Sequence, residues 1–141
     1  MQHTPTAHHV GITVADLESC VEFYEQALGL EVLARFAVGG EAFSTGVDID
    51  DARADFAHLE GNGICLELVE YEPQGESVEG RDRLNRPGAT HVGFEVEDLD
   101  AVYEELPEFV ETVSEPQTTE SGTRICFLSD PEDNLVELLE L

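Results

Sequence analysis

The sequence has no lysine and no tryptophan, and its six basic residues are all arginine. Against them stand 32 acidic residues, giving a formal net charge of −26. An excess of that size repels phosphates and anionic lipids, which argues against a nucleic-acid partner and against a membrane-surface partner. Long apolar runs are also missing. Nothing approaches the ~18 residues that span a bilayer. The polar start, Met1 to Ala7, has no basic segment followed by an apolar one, so no secretory signal is expected. Cysteine is sparse: Cys20, Cys65 and Cys126 stand far apart in apolar surroundings, with no CxxC pair. The expectation is three buried, reduced thiols in a cytoplasmic protein.

What remains is 141 residues, enough for one compact domain with a real core or for two fused small modules. The acids are spread through the chain, and apolar periodicity persists among them, unlike in a disordered acidic tail. A lysine-free acidic surface is the composition of cytoplasmic proteins from extreme halophiles. On that reading the charge reports the solvent and not the partner. Concentrated salt screens the self-repulsion, with a Debye length of ~3 Å at 1 M, so the fold is expected to loosen at low ionic strength.

The chain repeats itself. His9-Val10-Gly11-Ile12-Thr13-Val14-Ala15-Asp16-Leu17 returns 91 − 9 = 82 residues later as His91-Val92-Gly93-Phe94-Glu95-Val96-Glu97-Asp98-Leu99. Cys65-Leu66-Glu67-Leu68-Val69-Glu70 is matched by Leu135-Val136-Glu137-Leu138-Leu139-Glu140, at an offset of 137 − 67 = 70. The second half is therefore shorter between its motifs by 82 − 70 = 12 residues. A doubled unit of this kind points to a tandem fold.

Each half reads as strand, helix and three strands. In the first, His9 to Val14 is a strand with Val10, Ile12 and Val14 on one face and His9, Gly11 and Thr13 on the other. Asp16 caps a helix with Leu17, Cys20, Val21, Tyr24 and Leu28 on its buried side, and Gly29 ends it. Phe23 and Tyr24 belong to the core. Leu30 to Val38 is a strand, Gly39-Gly40 a turn, Glu41 to Thr45 a segment that pairs back, and Gly46 to Arg53 an irregular acidic loop. Ala54 to Leu59 and Ile64 to Tyr71 form a hairpin across Glu60-Gly61-Asn62-Gly63. Residues 1–72 make the first module, 73–88 a linker carrying Arg81, Arg83 and Arg86, and 89–141 the second module. There, His91 to Val96 is a strand, and Asp98 caps a helix with Leu99, Val102, Tyr103 and Leu106 buried before Pro107. Phe109 to Val113, Thr123 to Leu128 and Leu135 to Leu141 are strands, with a turn at Ser129 to Asn134.

These motifs, with Phe23-Tyr24, Leu28-Gly29-Leu30, Gly88-Ala89-Thr90-His91 and Asp130-Pro131-Glu132-Asp133-Asn134-Leu135-Val136-Glu137, resemble the vicinal oxygen chelate superfamily. That group includes glyoxalase I, methylmalonyl-CoA epimerase, extradiol dioxygenases and the fosfomycin and bleomycin resistance proteins. The resemblance runs from His9 to Leu141. It implies an α+β fold of two tandem βαβββ modules forming a cupped, partly closed mixed-sheet barrel. It implies metal ligands at His9, Glu67, His91 and Glu137, with Glu137 and Glu67 as catalytic groups. Strand parity agrees, since Glu67 and Glu137 face away from Leu66, Leu68, Val136 and Leu138. An ionised carboxylate on such a half-buried strand needs a partner or a cation.

Two imidazoles and two carboxylates suit one divalent ion: Zn, Ni, Co, Mn or Fe. The implied function is proton transfer, isomerisation or lyase chemistry next to a carbonyl, through an enediolate chelated by the metal, on a small-molecule substrate. An extradiol-type Fe(II) dioxygenase and an antibiotic-sequestering binding protein are the alternatives. A homodimer is implied by the way sheet edges pair between chains in the family. His8 competes with His9 for the first position. His58 aligns with Phe127 if Leu59 aligns with Leu128, and reads as packing or a pocket wall. Glu70 and Glu140 read as solvated acids. Arg35, Arg81, Arg83, Arg86 and Arg124 are candidate anion binders, most of them better explained by surface ion pairs.

Overall fold

The computed structural model describes residues 3–77 and 83–141. The chain divides into two compact units, Met1–Glu76 and Ser77–Leu141. The expected linker residue Arg81 lies outside the described residues.

The first unit opens with β1 (His9–Thr13), followed by α1 (Leu17–Leu28) and β2 (Glu31–Gly39). It continues with α2 (Glu41–Val47), β3 (Arg53–Glu60) and β4 (Cys65–Glu72). Its sheet is open and runs β1-β4-β3-β2, with β1 parallel to β4 and the other pairs antiparallel. The Asp16 carboxylate accepts the Ser19 N–H at the start of α1, and Gly29 adopts φ 67° at its end, both as the sequence demands. The helix buries Leu17, Cys20, Val21, Phe23 and Tyr24 against β4, β3 and β2, while Leu28 stays half-buried. Ala57, Leu59, Leu66 and Leu68 answer from the sheet with exposures of 1% or less. Each fully buried leucine contributes ~1.5–3 kcal/mol of transfer free energy.

Two expectations fail here. Glu41 to Thr45 does not pair back; it opens α2. This helix has no side-chain cap and contains Gly46 and the β-branched Thr45, so local propensity does not announce it. Packing supplies what propensity lacks. The Phe43 ring stacks on Tyr71 at 6.1 Å and meets Phe56 at 6.4 Å. The Ser44 hydroxyl also accepts the Ala52 N–H at 2.9 Å. The acidic loop is correspondingly shorter, running from Asp48, which sits in the left-handed region at φ 56°.

The second unit contains β5 (His91–Glu95), α3 (Leu99–Glu105), β6 (Glu111–Thr112), β7 (Gln117–Thr118), β8 (Arg124–Ser129) and β9 (Leu135–Glu140). Its open sheet runs β5-β9-β8-β6, with β7 also paired to β8, and β5 lies parallel to β9. Phe109 to Val113 is not a full strand. It shrinks to β6, leaving Phe109 and Val113 more than half exposed. β6 and β7 are two ends of one interrupted edge, both held by β8. Pro116 sits in the gap and has no N–H to give the ladder. Only Leu99 of α3 is fully buried; Val102, Tyr103 and Leu106 are half-buried. Among the described residues, no helix is long and apolar enough to cross a membrane.

Candidate functional site

In both units the parallel strand pair builds the same small constellation. Gly11 of β1 lies opposite Glu67 of β4, and Gly93 of β5 lies opposite Glu137 of β9. Two residues before each glycine stands a histidine on the same face. His9 Nε2 lies 3.5 Å from Glu67 Oε1. His91 Nε2 donates to Glu137 Oε2 at 3.1 Å. The apolar neighbours Leu66, Leu68, Val136 and Leu138 are buried on the opposite face, as strand parity requires.

Burial sets the electrostatics. Glu67 and Glu137 are only 15% and 20% exposed, while their histidines are each 39% exposed. A carboxylate that far from water needs donors or a cation. The glycines keep it reachable. A Cβ added at Gly11 would sit 3.6 Å from Glu67 Oε1, and one at Gly93 would sit 3.7 Å from Glu137 Oε2. Both are ordinary contacts, so a side chain there would cover the carboxylate without clashing. Imidazole nitrogen and carboxylate oxygen, uncovered and side by side, are a donor set that fits a borderline divalent ion. Among the described residues no group of three or more His, Cys, Asp or Glu side chains is arranged to hold an ion. Each unit by itself offers a pair of donors.

The first pair is more heavily supported than sequence reasoning expected. His58 does align with Phe127, since His58 faces Glu67 across β3–β4 and Phe127 faces Glu137 across β8–β9. Yet His58 is more than a wall. Its Nε2 donates to Glu67 Oε2 at 2.7 Å. The hairpin turn at Glu60–Gly63 was the available signal, because its register sets His58 opposite Glu67. His8 lies beside His9; one Nδ1–H of the two rings is shared between them at 2.8 Å, edge to face. Glu140 is also not simply solvated: its Oε2 accepts the Leu99 N–H at the start of α3, 2.9 Å away.

Arg35 and Arg124 have carboxylate partners, and Asp130 is held within its turn. Arg35 pairs with Glu18 at 2.6 Å and Arg124 with Asp100, as surface arginines in an acidic protein should. Asp130, 4% exposed, is sealed into its turn by the N–H groups of Glu132 and Asn134 and by the Asn134 amide. All three cysteines are free; Cys20 and Cys126 are buried, but Cys65 only half so. Burial raises the Cys65 thiol above its ordinary 9.0, the charges of Glu67 and Glu60 add to the rise, and a hydrogen bond with the Leu59 backbone opposes it. Burial alone raises Cys126.

A sequence model of the glyoxalase/bleomycin resistance protein/dioxygenase superfamily matches residues 6–138, nearly the full chain. The chain belongs to that superfamily. Within it, the chain is 31% identical over 147 aligned positions to a 2-epi-5-epi-valiolone epimerase from Actinomyces sp., spanning 95% of this chain and 78% of that protein. It is 25% identical to the uncharacterized protein YraH of Bacillus subtilis (strain 168), across 94% of this chain and 95% of the relative. A crystal structure of a glyoxalase family protein from Bacillus cereus superposes with a TM-score of 0.85 at 24% identity, covering 99% of this chain and 96% of that one. A glyoxalase/bleomycin resistance protein/dioxygenase from Nocardioides superposes at 0.64 with 23% identity, over 98% and 84% of the two chains. These two likenesses establish the superfamily fold, and no reaction.

Proposed function

We propose that this superfamily member is a divalent-metal-dependent enzyme that moves a proton on the carbon next to a carbonyl, as an isomerase or epimerase, on a small-molecule substrate. His9, Glu67, His91 and Glu137 are the ligands in this reading. The ion, when bound, supplies Lewis-acid polarisation of two neighbouring substrate oxygens. The chain's own residues do the rest. The two imidazoles and a carboxylate hold and orient. Glu67 or Glu137 would take the proton from the α carbon as general base; return of a proton to the adjacent carbon isomerises the substrate and return to the same carbon from the opposite face epimerises it, so no oxidant or reductant is consumed.

The observation that carries the reading is the doubled register of histidine, glycine and glutamate, the same in both units. The epimerase named among the relatives supports an isomerase over a lyase. Members of this superfamily act on small molecules and often form dimers, and we take a homodimer as the assembly.

The test is metal content of tag-free protein prepared in high salt, beside His91→Ala and with solvent-deuterium exchange into α-hydroxyketones and CoA thioesters. About one Zn, Ni, Co or Mn per chain, lost in the variant together with exchange, is the expected result. Bound Fe²⁺ with ring cleavage of catechols would transfer the chain to the dioxygenases. Native fold with no ion bound or taken up would leave a sequestering protein and overturn the reading.

A further inference from the structure

The two units repeat their histidine and glutamate but not the residue across the ladder from the glutamate. In the first unit that residue is His58, and in the second it is Phe127. His58 Nε2 donates to Glu67 Oε2 at 2.7 Å, while His9 Nε2 faces the other oxygen, Oε1, at 3.5 Å. Each oxygen of Glu67 thus answers to a different imidazole. Phe127 has no group to donate; its ring meets the edge of His91 at 5.2 Å instead.

His58 is itself held in place. Its side chain is 18% exposed, and Phe36 packs edge-on against it at 5.0 Å. Phe36 in turn stacks flat on Phe56 at 5.0 Å. The imidazole therefore donates from a fixed position. A hydrogen bond to an ionised acceptor is roughly twice as strong as a neutral one. A carboxylate that must swing to collect a proton is poorly served by such a bond.

We infer that His58 is a positioning residue that locks Glu67, leaving one oxygen for a ligand. The inference rests on the metal-dependent reading above. It makes the two glutamates unequal although their backbone registers are equal. Glu67 is held by an imidazole outside the ligand set, whereas Glu137 is held by His91, itself a ligand in this reading.

The experiment uses the full chain and four variants: His58→Phe, which installs the second unit's residue, His58→Gln, which keeps an N–H donor, Glu67→Gln and Glu137→Gln. Zn²⁺ affinity is read by competition with a chromophoric chelator, and ligand geometry by the visible absorption of the Co²⁺ form. His58→Phe should weaken Zn²⁺ by about 10–100-fold and shift the Co²⁺ bands, with His58→Gln recovering most of both. Glu67→Gln and Glu137→Gln should each weaken Zn²⁺, as loss of a ligand does. Circular dichroism checks folding, and His58→Leu replaces His58→Phe should the latter not fold. Wild-type affinity and unchanged bands in the His58 variants would overturn the inference. A wild-type chain that takes up no ion would instead overturn the underlying reading, and the inference with it.

Discussion

The two units start from nearly the same strand and diverge from there. The first has a continuous nine-residue β2, a helix α2 laid over an aromatic cluster, and a histidine behind its glutamate. The second has a broken edge, a seven-residue α3 with one fully buried side chain, and a phenylalanine behind its glutamate. The parts they share are the capping aspartate, the glycine facing the carboxylate and the histidine beside it. Matching positions of the two sheets are buried as well: Leu59 and Leu128, Leu66 and Val136, Leu68 and Leu138.

That contrast is open to attack through the core. Leu59 and Leu128 occupy matching positions, facing Leu66 and Val136, and both are 0% exposed. Replacing either by alanine removes transfer free energy and leaves a cavity, at about 2–5 kcal/mol. Leu59 lies in the unit where α1 buries five side chains, whereas α3 beside β8 buries one. A looser surround collapses more readily around a void. Leu59→Ala should therefore fall near the top of the range and Leu128→Ala near the bottom, measured by urea unfolding in high salt. Equal losses would mean that the second unit is as tightly packed as the first.

The sequence made the shared parts legible and the divergent parts much less so. Aspartate N-caps, the glycine stop at Gly29 and the alternation of β1 and β5 are signals spelled within a few residues, and each appears where its residues require. α2 was illegible because a seven-residue stretch with glycine and threonine forms a helix only once Phe43 has Phe56 and Tyr71 to rest on. The interruption at Pro116 was legible in principle, since proline cannot serve an inner ladder. The candidate site shows the same division. His9, Glu67, His91 and Glu137 follow from repeat and parity, but the bond from His58 depends on a hairpin register that must be counted across the turn. Glu140 was hidden among 32 acids, and only the fold brings it to the Leu99 N–H.

Capping offers a smaller effect that sharpens the comparison. With so little of α3 buried, its first turn depends on Asp98, which accepts the Ala101 N–H, and on Glu140, which accepts that of Leu99. A helix start welcomes negative charge as well as acceptors. Asp98→Ala and Glu140→Ala should each cost roughly 0.5–2 kcal/mol. Hydrogen exchange in α3 should quicken in both. Asp16→Ala should leave exchange in the middle of α1 nearly unchanged, because five buried side chains still hold that helix. Equal acceleration in the two helices would show that caps, and not burial, hold α1.

The smallest expected effect separates the units by their thiols. Cys126 is 2% exposed, donates to the Ser114 carbonyl at 3.4 Å, and is raised above the ordinary 9.0 by burial alone. A raised thiol favours its protonated form in the folded chain more than in the unfolded one. The associated stability is therefore fully present below 9.0 and is lost as pH rises through the higher folded value. Urea melts on either side of 9.0 should show stability falling on the alkaline side, and Cys126→Ala should reduce that fall, leaving the part that the raised Cys65 contributes. The pH dependence should persist in concentrated salt, because burial is a desolvation effect that ions do not screen. A decline abolished by salt would point to the repulsion among exposed acids instead, and would remove Cys126 from the account.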